Sequence, residues 1–343
     1  MNEMFVVNGR FMDRRITGVE RYAREILVRL QSQPKVIRPQ CGFQGLAGHA
    51  WEQIVLPSRL RGKTLWSPCN TGPMYSPRHV VTIHDMAVFD HPEWFSSGFG
   101  AVYRALIPEL AKRAQAIIAV SAHAKQRILE TLKVKEAKVR VIANGVGPAF
   151  CARSASEIAA VRSRLQIPEG PYVLSLCSLE PRKNLSRVLA AWNIVTKNME
   201  GVNLVLTGAA NATVFRSVAQ PLQNSKNVFL TGYVEDENLP ALYSGASCFL
   251  YVSLYEGFGL PVLEALACNI PVVTSNSTSL REIGYPVCHL VDPCSSHEIA
   301  SAIAEALGGQ SSPESRALGR KHAAQYTWER SAADTERLVL SLS

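Results

Sequence analysis

Two glutamates, Glu256 and Glu264, stand eight residues apart and bracket Gly257-Phe258-Gly259-Leu260-Pro261-Val262-Leu263. The apolar stretch Ala246 to Ser253 precedes them and reads as a buried strand. Pro261 to Ala267 reads as a helix with proline in its first turn. Glu256 therefore falls on the loop leaving a strand, and Glu264 about one turn into the next helix. Free N–H groups at a helix N-terminus attract anions, and glycines let a ligand approach them closely. A carboxylate repels an adjacent phosphate but accepts hydrogen bonds from hydroxyls. The spacing fits a ligand with an anionic centre and a hydroxyl-rich group on each side. A nucleotide sugar has that shape: ribose, diphosphate, hexose.

A second cluster lies in Leu179-Glu180-Pro181-Arg182-Lys183-Asn184, which leaves the strand Tyr172–Leu176. Two cations beside a diphosphate offset its charge and the charge growing on a leaving group. Basic residues at a helix start are common on any surface. Here the half of the chain around them holds few cations, and they sit where parallel sheets bind ligands. In the other half, Thr82-Ile83-His84-Asp85 puts a histidine and an aspartate at a strand end, although a lone histidine is more often satisfied structurally. Asn8-Gly9-Arg10 and Gly18 lie between a strand and a helix, a geometry for phosphate approach that also serves as a plain connection. The aromatic residues of His91-Pro92-Glu93-Trp94-Phe95 either face a lipid or acceptor, or close a loop over the core.

The elements that must hold these residues alternate. Strands are expected at Met4–Val7, Thr64–Ser67, Val80–His84, Ala116–Val120 and Val139–Ile142. Helical spacing runs from Gly18 to Leu30 and from Gly100 to Arg113, and Ser121 caps a further helix. Periodicity weakens from Pro148 to Pro171, apart from a short helix near Ser156–Leu165. It then restarts with strands at 172–176, 204–206, 228–230, 249–252, 271–274 and 290–291. Helices are expected near 185–197, 213–222, 239–245, 261–267 and 296–307, and a last one near 328–342. Such alternation means α/β domains built on doubly wound parallel sheets. The expected domains are 1–165, 166–325, and a terminal helix, 326–343, that returns toward the first.

The 343 residues suffice for two buried cores. Charged residues are 19% and hydrophobic ones 47%, as in a water-soluble globular protein, and no apolar run reaches the ~18–20 residues that span a bilayer. The N-terminus enters a strand almost at once, which speaks against a signal peptide. Eight scattered cysteines without a C-x-x-C pair read as reduced thiols in a cytoplasmic protein, neither zinc site nor disulfide framework. Residues 1–165 carry 24 Lys and Arg against 12 Asp and Glu, and the remainder 12 against 16. A basic half beside an acidic half suggests an anionic membrane surface or acceptor, or simply a solvated face. No nucleic-acid module is recognisable.

Taken together, Glu256-Gly-Phe-Gly-Leu-Pro-Val-Leu-Glu264, Thr17-Gly18-Val19-Glu20-Arg21-Tyr22, Thr82-Ile83-His84-Asp85, Asn144-Gly145-Val146, Glu180-Pro181-Arg182-Lys183-Asn184, Thr231-Gly232-Tyr233-Val234 and Leu290-Val291-Asp292-Pro293 resemble the retaining glycosyltransferases of family 4, the group 1 glycosyl transferases. In motif pattern the chain is most similar to mannosyltransferases of bacterial surface polysaccharides. The resemblance implies a GT-B fold, two Rossmann-like domains facing a cleft, and metal-independent transfer with retention. The donor would be a nucleotide-diphosphate sugar, GDP-mannose by subgroup, used as co-substrate with no cofactor. The acceptor would be a lipid-linked saccharide or polysaccharide precursor; the basic first half, not the resemblance, suggests a cytoplasmic protein peripheral at the inner face of the plasma membrane. It implies that Glu256 holds hexose hydroxyls, Glu264 the ribose diol, and Arg182 and Lys183 the diphosphate. Backbone at Gly18 and around Phe258, Gly259 and Leu260 would assist, Tyr233 and Val234 would meet the base, and His84 would contact the transferred sugar. Many members carry arginine where this chain has Ser178; here the arginine stands at Arg182. Rival readings are a nucleotide-sugar epimerase of the same fold and a non-catalytic sugar-nucleotide-binding partner. A nicotinamide oxidoreductase is disfavoured, because Val262 replaces the third glycine of G-x-G-x-x-G.

Overall fold

A computed structural model describes residues 5–14, 16–39, 45–176, 180–208, 225–308 and 312–342. The chain divides into two units: residues 1–145 with 327–343, and residues 146–326. The expected helix near 213–222 and the substitution point Ser178 lie outside the described residues.

The first unit holds β1 (Phe5–Asn8), β2 (Lys35–Ile37), β3 (Thr64–Ser67), β4 (His79–Ile83), β5 (Ala116–Ala119) and β6 (Val139–Val141), in the order β2-β1-β3-β4-β5-β6 with every pairing parallel. The central strands β1, β3, β4 and β5 are buried along their whole length. That is why they read as apolar runs without alternation: helices cover both faces of a parallel sheet. Val6, Ile37, Trp51, Leu56, Leu60 and Leu65 form a core under helix Gly45–Arg59.

The second unit holds β7 (Tyr172–Leu176), β8 (Asn203–Thr207), β9 (Val228–Gly232), β10 (Cys248–Tyr251), β11 (Val272–Ser275) and β12 (His289–Val291), in the order β12-β11-β10-β7-β8-β9, again all parallel. Trp192 of helix Leu185–Asn198 centres a core shared with helix Ser296–Leu307. From β7 the chain winds outward to β8 and β9, then returns to lay β10, β11 and β12 on the other side. Adjacent β7 and β10 are thus the switch point of this sheet, where the loops leaving two neighbouring strands diverge and open a crevice.

Two departures from the sequence reading have clear causes. The chain divides after Gly145, not after Leu165, because helix Ala155–Arg164 packs on helix Leu239–Ser244 of the second unit. Helices Gly45–Arg59, Thr278–Gly284 and Pro313–Ala323 and strand β2 were not anticipated. Gly45–Arg59 carries Pro57 and exposes Leu46 and Ile54 while burying Trp51 and Leu56, which blurs its helical stripe. The terminal helix Trp328–Leu340 belongs to the first unit. Trp328 packs against Tyr22, and Glu336 accepts from the N–H groups of Gln31 and Ser32 at 3.2 and 2.7 Å.

Candidate active site

In the second unit the switch point brings Arg182, Lys183 and Glu256 together. Glu256 leaves β10, and its Oε1 accepts from Lys183 Nζ at 2.6 Å while Oε2 accepts from Arg182 Nη1 at 2.8 Å. The Tyr251 hydroxyl donates to Glu256 Oε1 at 2.9 Å, accepts from Lys183 Nζ, and its ring lies 4.7 Å beneath that ammonium. Glu180 takes the Nε of Arg182. Two cations and two carboxylates thus balance in one cluster.

The backbone under these side chains is pinned. Asn184 adopts the left-handed region at φ 60°, which asparagine tolerates, and so ends the turn Pro181–Lys183 and starts the next helix. Its Nδ2 donates to the carbonyls of Val252 at 3.0 Å and Pro293 at 2.7 Å, and Leu254 N–H donates to Arg182 O at 2.7 Å. One residue therefore ties together the loops leaving β7, β10 and β12. On the far side Ser279 donates to Glu256 O at 2.8 Å.

Burial alone would raise the Glu256 carboxyl, but Lys183 and Arg182 outweigh it and hold it down to about 2. Burial presses the Lys183 ammonium below the usual lysine range, with Arg182 adding to the fall and Glu256 opposing it. Arg182 loses by burial but is raised overall by Glu256 and Glu180. Its side chain remains 28% exposed, against 10% for Lys183, so the arginine is the more accessible cation.

Glu264 lies on helix Leu260–Ala267 and is buried; its Oε2 accepts from the Tyr243 hydroxyl at 3.1 Å. The two glutamates thus take different partners. Gly259 precedes the helix at φ 119°, a region hostile to side chains, and a Cβ there would meet Leu280 Cδ2 at 2.9 Å. The Phe258 ring is buried against Tyr326, so only its backbone is placed to meet a ligand. Tyr233 is 58% exposed just past β9, at the edge of the sheet, and Val234 is buried.

In the first unit His84 follows β4. Its ring is buried edge-on to Tyr22, and Nε2 lies 2.8 Å from Pro68 O. A carbonyl only accepts, so Nε2 carries the proton and Nδ1 is left as an acceptor. Burial holds the imidazole below its ordinary range, hence neutral. Gly18 opens helix Gly18–Leu27 after the capping box of Thr17 and Glu20; nothing lies within 4 Å of a Cβ there, so the fold itself does not demand glycine.

Sequence reasoning missed Tyr251, Tyr243 and Asn184. A signal existed for the tyrosines, since a buried phenol needs a partner. It singled out Asn8 and Arg10 but missed Glu52, which joins them in a cluster at the first unit's own switch point, between β1 and β3. Glu52 there accepts from Asn8 at 2.8 Å, Arg10 at 2.6 Å and Thr71 at 3.1 Å. Burial would raise the Glu52 carboxyl, but His49, Arg10 and Asn8 hold it below the usual range. No sequence signal marked Glu52, which sits on the unanticipated helix.

Residues 158–324 match the family model described as glycosyl transferases group 1, and residues 62–150 match glycosyltransferase family 4. The chain is 30% identical over 263 residues to O-antigen chain mannosyltransferase B of Escherichia coli, covering 75% of this chain and 69% of that protein. It is 29% identical over 264 residues to the serotype-specific mannosyltransferase WbdA of E. coli, covering 74% of this chain but only 32% of WbdA. The solved structure of Anabaena HepE with UDP and glucose superposes with a TM-score of 0.75 over 99% of both chains at 17% identity.

Proposed function

The chain belongs to the group 1 glycosyl transferases and has their GT-B fold, and from that premise we propose that it transfers mannose from GDP-mannose to a lipid-linked saccharide or polysaccharide precursor. The observation that carries the reading is the Glu256–Lys183–Arg182 cluster at the switch point of the second sheet. The names of the E. coli relatives support mannose as the sugar.

Before a donor arrives, Glu256 occupies both cations. A diphosphate entering the crevice competes for them. Each cation that turns to phosphate frees a Glu256 oxygen for hexose hydroxyls, so one exchange of partners seats both ends of the donor. Glu264 takes the ribose diol, Tyr233 and Val234 meet the base, and backbone N–H groups at Gly259, Leu260 and Gly18 assist. As the glycosidic bond breaks, charge grows on the leaving phosphate, and Arg182 and Lys183 stabilise it where a metal ion would otherwise serve. The leaving oxygen takes the acceptor's proton, and the anomeric configuration is retained. The neutral His84 accepts a sugar hydroxyl through Nδ1. Turnover is then unchanged by EDTA.

A thermal-shift panel of GDP-, UDP-, ADP- and dTDP-sugars tests the donor. GDP-mannose at 100 times its dissociation constant stabilises the fold by about 2.7 kcal/mol, visible as a raised melting temperature. A shift with UDP-sugars alone would replace the base and keep the enzyme class; no shift with any of the four would overturn the reading.

A further inference from the structure

We propose that Tyr243 is a positioning residue for the donor's ribose: its hydroxyl holds Glu264 in the rotamer that presents the carboxylate to the 2′,3′-diol. The inference rests on the assignment of Glu264 to the ribose.

Tyr243 and Glu264 lie on different elements, helix Leu239–Ser244 and helix Leu260–Ala267, which pack together. The phenol is fully buried and donates to Glu264 Oε2 at 3.1 Å. Its ring is fixed edge-on to Phe249 at 5.1 Å and to Phe150 at 6.0 Å, so the hydroxyl has little freedom to move. Burial, with Glu264 adding to it, pushes this phenol far above the ordinary tyrosine range, so it stays protonated and can only be the donor toward a carboxylate. A glutamate side chain has three rotatable bonds, and a carboxylate that must receive two hydroxyls gains from being held beforehand. The helix bearing Tyr243 begins five residues after Val234 (with Asn238 at its cap), and Tyr233-Val234 is the segment assigned to the base. One hydrogen bond therefore links the element next to the base with the residue assigned to the ribose.

The test measures binding of GDP and of UDP, each beside its 2′,3′-dideoxy form, by titration calorimetry on wild type, Tyr243→Phe and Glu264→Ala. Tyr243→Phe keeps the ring and removes only the oxygen. Wild type should prefer the intact ribose. Glu264→Ala should erase that preference, and Tyr243→Phe should reduce it roughly tenfold, the order expected when a buried charge-assisted hydrogen bond is lost. In steady-state kinetics the donor KM of Tyr243→Phe rises by a similar factor while kcat stays within about twofold. If Glu264→Ala loses the preference and Tyr243→Phe keeps it in full, the positioning role is overturned and the ribose assignment stands. If Glu264→Ala keeps the preference, the ribose assignment itself fails and the inference with it. Should Tyr243→Phe not fold, a crystal structure of wild type with GDP decides. Tyr243 Oη within 3.2 Å of a Glu264 carboxylate that meets the ribose supports the role, and a separation beyond 3.5 Å overturns it.

Discussion

Glu256 neutralises two cations at once, and this has a consequence for acid stability. Its carboxyl is held at about 2, below the ordinary value of 4.5, so the folded state favours the charged form. The stability this contributes is complete above pH 4.5 and is lost as pH falls toward 2, at most about 3 kcal/mol for a shift of that size. Glu256→Gln should therefore be the less stable protein at pH 6, with the gap to wild type narrowing between pH 4.5 and 2. Urea unfolding at pH 6, 4 and 2.5 checks it; a gap constant with pH would mean that the carboxylate is not held by Lys183 and Arg182. At this scale the sequence was informative about residue types and less so about partners. Glu256, Arg182 and Lys183 were recognisable from their places after apolar strands. That they bind one another was not, because residues 73 and 74 apart in sequence meet only through the strand order. The tyrosines carried only the general signal that a buried phenol needs a partner, and nothing in the sequence says which partner a phenol at the end of a buried strand or helix takes.

The helix Leu260–Ala267 shows what an element contributes. Its start is set by Gly259 at φ 119°, with Leu280 packed where a side chain would stand. Gly259→Ala is expected to cost about 1–3 kcal/mol of stability through that backbone strain and to weaken donor binding by displacing the helix N-terminus. A melting curve and a nucleotide titration on the same variant measure both, and unchanged values would show that the N-terminus tolerates rebuilding. Asn184 belongs to the same scale, since its side chain replaces a connection that the sheet does not supply. Asn184→Ala should lower donor affinity without touching the ligand, and an affinity equal to wild type would deny the pin its role. Most buried strands were legible to within a residue or two, because apolar runs bounded by polar turns leave few choices. β2, at three residues, was too short to stand out, and the helix Thr278–Gly284, although Ser277 stands at its N-cap, is only seven residues long and begins at a threonine with φ 53°.

Over the whole molecule, the two-domain α/β organisation was readable from strand–helix alternation, while the point of division was not. Helix Ala155–Arg164 looked like a linker helix, and its packing partner lies about eighty residues further on. Moving the division to Gly145 also redistributes charge. The first unit carries 23 Lys and Arg against 14 Asp and Glu, and the second 13 against 14, so the excess of +9 still sits on the first. Among the described residues no helix is long and apolar enough to cross a membrane. An anionic surface attracts such a unit electrostatically and loses it with salt. The chain should float with liposomes containing anionic lipid at low salt and be released by about 0.5 M salt, a screening length near 4 Å; equal flotation with neutral vesicles would contradict an electrostatic attachment. The central claim is nearer the chemistry: Glu256, Arg182 and Lys183 together hold an activated sugar. The most direct measurement is kcat/KM for transfer from GDP-mannose by Glu256→Ala and Lys183→Ala, each confirmed folded. Both should fall by at least about a hundredfold, the scale expected when a group stabilising the transition state is removed. Near-normal turnover by Glu256→Ala would contradict the account.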